Sequence, residues 1–347
     1  MNEFPTWLTQ AIPAPDAKAM DVARARQSQL TKPPGSLGQL ESIAVRFAGF
    51  QGREKPVLNK VLVRIFAADH GIVAQGVSAF PQAVTAQMLQ NFATGGAAVC
   101  VLSKNIHADF RAVNVGCAND IDSQLPVVHA PIACGTADFS REPAMTKAQL
   151  IKALNMGAEQ TGNADVFIGG EMGIGNTTSA AAIFAALFRL PAEVITGRGT
   201  GVDDKTLANK TALVAKALAR HQSQLSTPLG ILQCVGGFEI AALVGAFLAS
   251  AQAQTPVLVD GFIATAAAAV AEAVNPGVNP WLVYAHQSEE QGHKLVLEKL
   301  QATPLLQLNM RLGEGSGAVL AASIIREALA LHNQMATFNE AGVSGAD

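Results

Sequence analysis

Aromatic residues are scarce in this chain of 347 residues: they make up 5%, with one tyrosine and two tryptophans. Alanine and 31 glycines take their place. That profile suits helices packed closely on a parallel sheet. Basic charge is not in excess either. Lys and Arg number 24 against 27 Asp and Glu, a formal net charge of −3. This excludes the electrostatic footprint of a nucleic-acid-binding protein. No run of about eighteen apolar residues is free of charge and glycine, so no membrane span is expected. The opening MNEFPTWLTQ lacks the basic and apolar regions of a signal peptide. Cys100, Cys117, Cys134 and Cys234 form no C-x-x-C pair, which reads as reduced thiols in a cytoplasmic protein. There is no H-E-x-x-H, and His286 and His293 lie two helical turns apart among polar neighbours. No metal and no cofactor is expected. Internal repeats are missing, and the only biased tract is an alanine-rich helix after Asp260.

Short apolar, β-rich runs alternate with longer helical stretches. The expected strands are 61–67, 110–115, 166–168, 257–259, 281–284 and 305–310. Between them fall helices at 82–92, 97–106, 147–160, 178–188, 204–222, 239–252 and 262–274. The pattern implies βαβ units. The strands do not alternate apolar and polar, as expected when both sheet faces are covered. The fold class is therefore α/β: a mostly parallel, Rossmann-like sheet with helices on both faces. The first sixty residues differ. They read as helices at 15–30 and 37–50, split by Lys32-Pro33-Pro34-Gly35-Ser36. Another apolar helix spans 318–335. We expect an α/β catalytic domain at 45–315 and a small helical domain from 1–44 and 316–347.

The stretch DVFIGGEMGIGNTTSAAAIFAAL, 165–187, carries the most information. It reads as a buried strand, a glycine-rich turn, and a helix opening with Asn176, Thr177 and Thr178. Free N–H groups and the helix dipole make such a turn an anion site. Glycines at 169, 170, 173 and 175 let a ligand approach the backbone. The spacing nearly matches the phosphate loop of NTPases, but Asn176 stands where that loop needs lysine. Gly173, Ile174, Gly175, Asn176 and Thr177 thus suit a phosphomonoester better than a triphosphate. Glu171 at the mouth would repel a polyphosphate and suit a cationic centre.

In open α/β sheets ligands bind beyond the carboxyl ends of the strands. The residues there are Asp69-His70, Gly116 and Asn119, the glycine loop, Asp260-Gly261, His286 to Glu290, and Arg311 to Gly317. A second glycine cluster, TGRGTGVDD at 196–204, offers alternating N–H groups as an anion nest. Gly199, Thr200 and Gly201 are candidates for phosphate or ribose contact, against a plain connection. Asp203 or Asp204 caps the next helix. Lys210 on that helix either reaches back to the site or is solvated. Glu314, between two glycines, is either a partly desolvated general base or a surface turn acid. The run VLVDGFIATA at 257–266 distantly echoes the diphosphoribose motif of ordinary phosphoribosyltransferases. Its second acid is replaced by Gly261, which disfavours magnesium–pyrophosphate chemistry. Asp260 either starts a helix or meets a ribose or base.

Taken together, KPPGSLGQLE (32–41), AADHGI (67–72), FPQAVTAQM (80–88), GGEMGIGNTTSAAA (169–182), TGRGTGVDD (196–204), VGGFEIAALVGA (235–246), LVDGFIATAAA (258–268), HQSEEQGH (286–293) and LNMRLGEGSGA (308–318) closely resemble the nicotinate-nucleotide:dimethylbenzimidazole phosphoribosyltransferase family. The matches run in order through nearly the whole chain. The resemblance implies a sheet domain plus a small helical domain. It also implies a homodimer in which one subunit's small domain closes the other's site. The implied substrates are nicotinate mononucleotide and 5,6-dimethylbenzimidazole, in cobalamin lower-ligand synthesis. Glu314 inherits the general-base role, with Glu171 as electrostatic support. Phe80, Gln87, Met88 and Leu312 become candidates for the apolar slot of the base. Phe80, where an aromatic is expected, is conservative. The rival readings are a non-catalytic nucleotide-binding regulator, which leaves Glu314 without a job, and a P-loop-like NTPase, which Asn176 opposes.

Overall fold

The computed structural model describes residues 3–199 and 201–344. Six strands form one sheet: β1 (Val61–Ala68), β2 (Asp109–Gly116), β3 (Val128–His129), β4 (Val166–Met172), β5 (Val257–Val259) and β6 (Leu282–Tyr284). Every pairing is parallel, and the order is β3-β2-β1-β4-β5-β6. This is the doubly wound order, and it reverses between β1 and β4. The crevice beyond their carboxyl ends is where such sheets bind ligands. β1 is buried throughout, as helices on both faces require, and its one charged residue, Arg64, pairs with Asp109. Among the described residues no helix is long and apolar enough to cross a membrane.

Five of the expected strands form, some with shifted ends. The segment 305–310 does not become a strand. Only Leu306 bridges His286, after which Asn309 takes a left-handed φ of 55° and Leu308 turns out to solvent. The sixth strand is instead the two-residue β3, too short to leave a periodic signal. β4 runs to Met172, so Gly169, Gly170 and Glu171 belong to the strand and not to the turn. Trp281 sits in a 3-10 segment, Pro276–Trp281, ahead of β6.

Alanine and glycine set the packing distances. Helix Phe238–Gln252 is buried along nearly its whole length against helix Lys147–Glu159. A Cβ on Gly157 would overlap the Ala242 carbonyl, and one on Gly245 the Leu154 carbonyl. The two backbones touch, which leaves no room for the aromatics the composition lacks.

The terminal helices Ala17–Gln29, Gln39–Gln51 and Ser316–Gln334 pack together beside β6 and the sheet. Arg26 donates to the carbonyls of His332, Asn333 and Met335, tying the two chain ends. Phe47 and Phe50 join the main core, while Ala23, Val45 and Ala48 form a small satellite cluster.

Candidate active site

A cleft opens beyond the ends of β1, β4 and β5. Its walls come from the end of β4, the start of helix Asn176–Phe188, the turn after β5, and the loop ahead of helix Ser316–Gln334. Nine of the residues singled out from the sequence line it: Glu171, Gly173, Ile174, Asn176, Thr177, Gly199, Asp260, Leu312 and Glu314.

Glu314 is presented by an unusual backbone. Gly313, Glu314 and Gly315 all have left-handed φ, at 80°, 61° and 75°. Three such residues in a row need support from outside the loop. Asp260 supplies it. Its two oxygens accept from Gly315 N at 3.1 Å and Ala318 N at 2.9 Å. One carboxylate therefore holds the loop and caps a long helix whose own N-cap, Gly315, has no side chain. Gly170 supplies the rest. A Cβ there would lie 2.6 Å from Gly315 N, so the loop seats directly on β4. Asp260, read from the sequence as a helix start or a ribose or base contact, spends both oxygens on this cap while also lining the cleft.

Glu314 is 8% exposed, and burial, then the Asp260 carboxylate, push its pKa up to about 7. Glu171 is 5% exposed, and its pKa is pushed up to about 8. Burial is the main cause, followed by the carboxylates of Glu239, Asp260 and Glu314. Glu171 accepts from Asn176 Nδ2 and from the Glu314 backbone N–H. The Glu314 carboxylate is itself one of the charges that raise the Glu171 pKa, so the two carboxyls are electrostatically linked.

The glycine loop forms as an anion cradle. Ile174 N donates to Thr85 Oγ1, Asn176 N to Gly173 O, and Thr178 N to Gly175 O. The N–H groups of Gly175 and Thr177 have no acceptor among the described residues, which leaves them for a ligand at a helix N-terminus. Gly175 has a φ of 98°, and its Cβ would strike Val73 Cγ2 at 2.7 Å. This glycine is required by backbone shape and packing as well as by ligand approach.

Gly175, Lys210 and Arg198 line a smaller cavity that shares Gly173, Ile174, Asn176 and Thr177 with the cleft. Lys210 is buried, and its Nζ donates to Thr177 Oγ1 at 2.8 Å and Gly197 O at 3.0 Å. Burial pushes its pKa down to about 8, against the opposing effect of Glu290. Lys210 is therefore not the solvated lysine of one sequence reading: it reaches back to brace Thr177. Gly199 lies against Thr177 and Lys210, so the two glycine clusters meet. Gly201 is exposed, does not line the cleft, and spends its N–H on Arg198 O. Thr200 lies outside the described residues. Phe80 and Gln87 are exposed and Met88 is half-buried against the core; none of the three lines the cleft. Leu312, 56% exposed, forms part of its rim.

Arg311, Ser288 and Glu290 also line the cleft and were not singled out as site residues. Their signal was position, since each follows an expected strand. Arg311 Nη1 donates to Gly199 O at 3.2 Å, placing a cation on the cleft wall. Asp69 and His70 lie beneath the floor, fully buried. Asp69 accepts from Thr85 Oγ1 at 2.7 Å and Ala118 N at 2.8 Å, so it holds the hydroxyl that receives the loop's Ile174 N–H. Among the described residues no group of three or more His, Cys, Asp or Glu side chains is arranged to hold a metal ion.

A family profile described as phosphoribosyltransferase matches residues 12–343. A nicotinate-nucleotide–dimethylbenzimidazole phosphoribosyltransferase of Xanthomonas oryzae pv. oryzae is 52% identical over 345 residues, covering 98% of this chain and 99% of that protein. The protein of that name from Pseudomonas putida W619 is 53% identical, covering 98% of each chain. The crystal structure of CobT from Thermus thermophilus superposes with a TM-score of 0.90 at 43% identity, covering 95% of this chain and all of that one.

Proposed function

The chain belongs to the nicotinate-nucleotide–dimethylbenzimidazole phosphoribosyltransferase family, and we propose from that premise that it moves 5-phosphoribose from nicotinate mononucleotide to 5,6-dimethylbenzimidazole. The products are α-ribazole 5′-phosphate and nicotinate, a step in building the lower-ligand nucleotide of cobalamin. The observation that carries this reading is Glu314 in a cleft whose wall includes Gly173, Ile174, Asn176 and Thr177 of the phosphate cradle.

The 5′-phosphate sits on the free N–H groups of Gly175 and Thr177, with Lys210 bracing the Thr177 hydroxyl. One azole nitrogen attacks C1′ of the ribose. The C1′–pyridinium bond breaks, and its electron pair neutralises the departing ring, so no general acid is needed. The proton on the other azole nitrogen passes to Glu314, which must be in its anionic form. Such general-base help is worth roughly 10²–10⁴-fold. Anionic Glu314 places negative charge beside a sugar carbon that becomes cationic, an electrostatic stabilisation. Attack opposite the leaving group turns a β-nucleotide into an α-nucleotide.

The base slot is proposed at Leu312 and Asp260, with Phe80, Gln87 and Met88 completing it once ligand binds. The division into an α/β body at 45–315 and a helical unit from 1–44 and 316–347 is part of the same proposal. So is a homodimer in which that unit closes the partner's site. The tie between Arg26 and the C-terminal carbonyls supports treating both termini as one unit. A cytoplasmic location agrees with four free cysteines. The test is incubation with both substrates in the presence of a metal chelator. Formation of the α-nucleotide with release of nicotinate is expected. Binding of the nucleotide without nicotinate release would favour the non-catalytic alternative.

A further inference from the structure

Two histidines stand in the segment after β6, and their surroundings differ. His293 has both ring nitrogens occupied: Nε2 lies 3.0 Å from Thr265 Oγ1, and Nδ1 accepts from Ser288 N at 2.8 Å. These bonds account for it as a fold residue. His286 is 2% exposed, and neither of its ring nitrogens has a hydrogen-bond partner among the described residues. A buried polar ring left without such a bond is costly and calls for a reason. The polar group beside it is Asp260: His286 Nε2 lies 3.6 Å from Asp260 Oδ1, and both side chains are buried.

The ring is built into the support of the Glu314 loop. Leu306 N donates to Ala285 O and Gln287 N to Leu306 O, which fixes the backbone on either side of His286. The side chain then lies against the first turn of helix Ser316–Gln334. A Cβ on Gly317 would overlap His286 Cδ2 and Nε2. Alanine is the better helix former, so the glycine at 317 is there to make room for the ring. A Cβ on Gly261, in the turn after β5, would lie 3.2 Å from Nε2. The imidazole thus fills the space between the turn that carries Asp260 and the helix start whose Gly315 and Ala318 N–H groups Asp260 binds.

We propose that His286 is a positioning residue: it holds the Asp260 carboxylate in place, and Asp260 in turn holds the Glu314 loop. The proposal rests on the reading of Glu314 as the base. His286 does not itself line the cleft. Asp260 Oδ1 is the point of transmission, since it faces both Ala318 N and His286 Nε2. Without the ring the carboxylate is free to turn away from the two amides, and the three consecutive left-handed residues lose their outside support. The phosphate cradle is held by other bonds, Ile174 N to Thr85 Oγ1 and Thr178 N to Gly175 O, and stays as it is.

His286→Leu keeps much of the ring's volume and removes both nitrogens. Amide hydrogen exchange in the full chain should become at least about tenfold faster at Gly315 and Ala318 and stay unchanged at Ile174 and Thr178. The kcat should fall about tenfold or more, with KM for nicotinate mononucleotide within about twofold of wild type. His286→Gln, which returns a polar atom near the position of Nε2, should restore both readouts. A double-mutant cycle with Asp260→Asn tests the route: once Asp260 is replaced, His286→Leu should cost little more. Unchanged exchange at Gly315 and Ala318 overturns the proposal. So do equal loosening of both sets of amides, failure of Gln to restore them, and fully additive losses in the cycle. If His286→Leu does not fold, His286→Asn, too short to reach Asp260, takes its place with the same expected result, and unchanged exchange there overturns the proposal. Exchange needs no turnover, so a failed transfer assay would sink the function reading and leave this test standing.

Discussion

Replacing Glu171 by glutamine should make the protein more stable at alkaline pH and less stable in mild acid. Glu171 has a folded-state pKa of about 8, against an ordinary value of 4.5. Its folded pKa is raised, so between those values the folded chain keeps a proton that the unfolded chain has lost. Stability then falls as pH rises through that window, by about 1.4 kcal/mol per pH unit, and levels off above the folded pKa. The full effect is on the order of 5 kcal/mol. The substituted amide has no such cost, but it has one acceptor oxygen for two donors, Asn176 Nδ2 and Glu314 N, and loses about 1 kcal/mol for the mismatch. The variant should therefore be the weaker protein at about pH 5 and the stronger at about pH 9, with a net gain of a few kcal/mol there. Urea unfolding of both proteins at about pH 5, 7 and 9 measures this across the window. Asp260, Glu314 and His70 are common to both chains, so the difference isolates position 171. A stability difference that does not change with pH would refute the claim that Glu171 is buried as the acid. Gained stability with lost activity is the usual trade at a site held under strain.

Three further substitutions probe the supports of the site. Asp260→Asn removes the second cause of the raised Glu314 pKa; the acid limb of the kcat–pH profile should move to lower pH, and an unmoved limb would show that Asp260 acts only as a cap. Gly170→Ala places a Cβ against Glu314 C and Gly315 N; kcat should fall at least about tenfold while nucleotide affinity changes less, because only the base loop is displaced. Steady-state kinetics beside equilibrium binding separates the two effects, and equal losses in both would mean a general unfolding of the cleft. Lys210→Met removes the ammonium that braces Thr177; KM for nicotinate mononucleotide should rise roughly 10–100-fold, the worth of a charge-assisted hydrogen bond, and an unchanged KM would remove Lys210 from phosphate recognition.

What the sequence made legible was what local pattern controls. Mostly apolar runs located β1, β2, β4 and β5, because a sheet covered on both faces admits few polar residues; Arg64 in β1 is buried against Asp109. The Gly-Glu-Gly turn marked a carboxylate that could be partly desolvated, and the strand-end rule assembled the cleft. Glycine misled at β4. Gly169 and Gly170 read as turn, yet they stay in the strand because helix Phe238–Gln252 and the Glu314 loop press against it there. The segment 305–310 has strand-like residues but bonds its backbone to the neighbouring segment only at Leu305, Leu306 and Met310, with one isolated bridge. Long-range partners were invisible. Nothing in Asp69-His70 says that Ser179 and Glu239, far along the chain, bond to the His70 ring. Arg311 lay in plain view after an expected strand, but no local rule ranks one charged loop residue above another. Phe80, Gln87 and Met88 came from family likeness and do not line the cleft, and no residue pattern points to them.

The central claim is that Glu314 takes the azole proton, and single-turnover transfer by Glu314→Gln tests it most directly. Enzyme in excess over nicotinate mononucleotide is mixed with saturating dimethylbenzimidazole, and α-ribazole 5′-phosphate is followed alongside nucleotide affinity. The amide keeps the size of the carboxyl and can occupy the same left-handed loop, but it cannot accept the proton. The rate should fall roughly 10²–10⁴-fold, a barrier increase of about 3–5 kcal/mol, with nucleotide affinity unchanged. A rate within a few-fold of wild type would contradict the account and move the base to Glu171 or to a water.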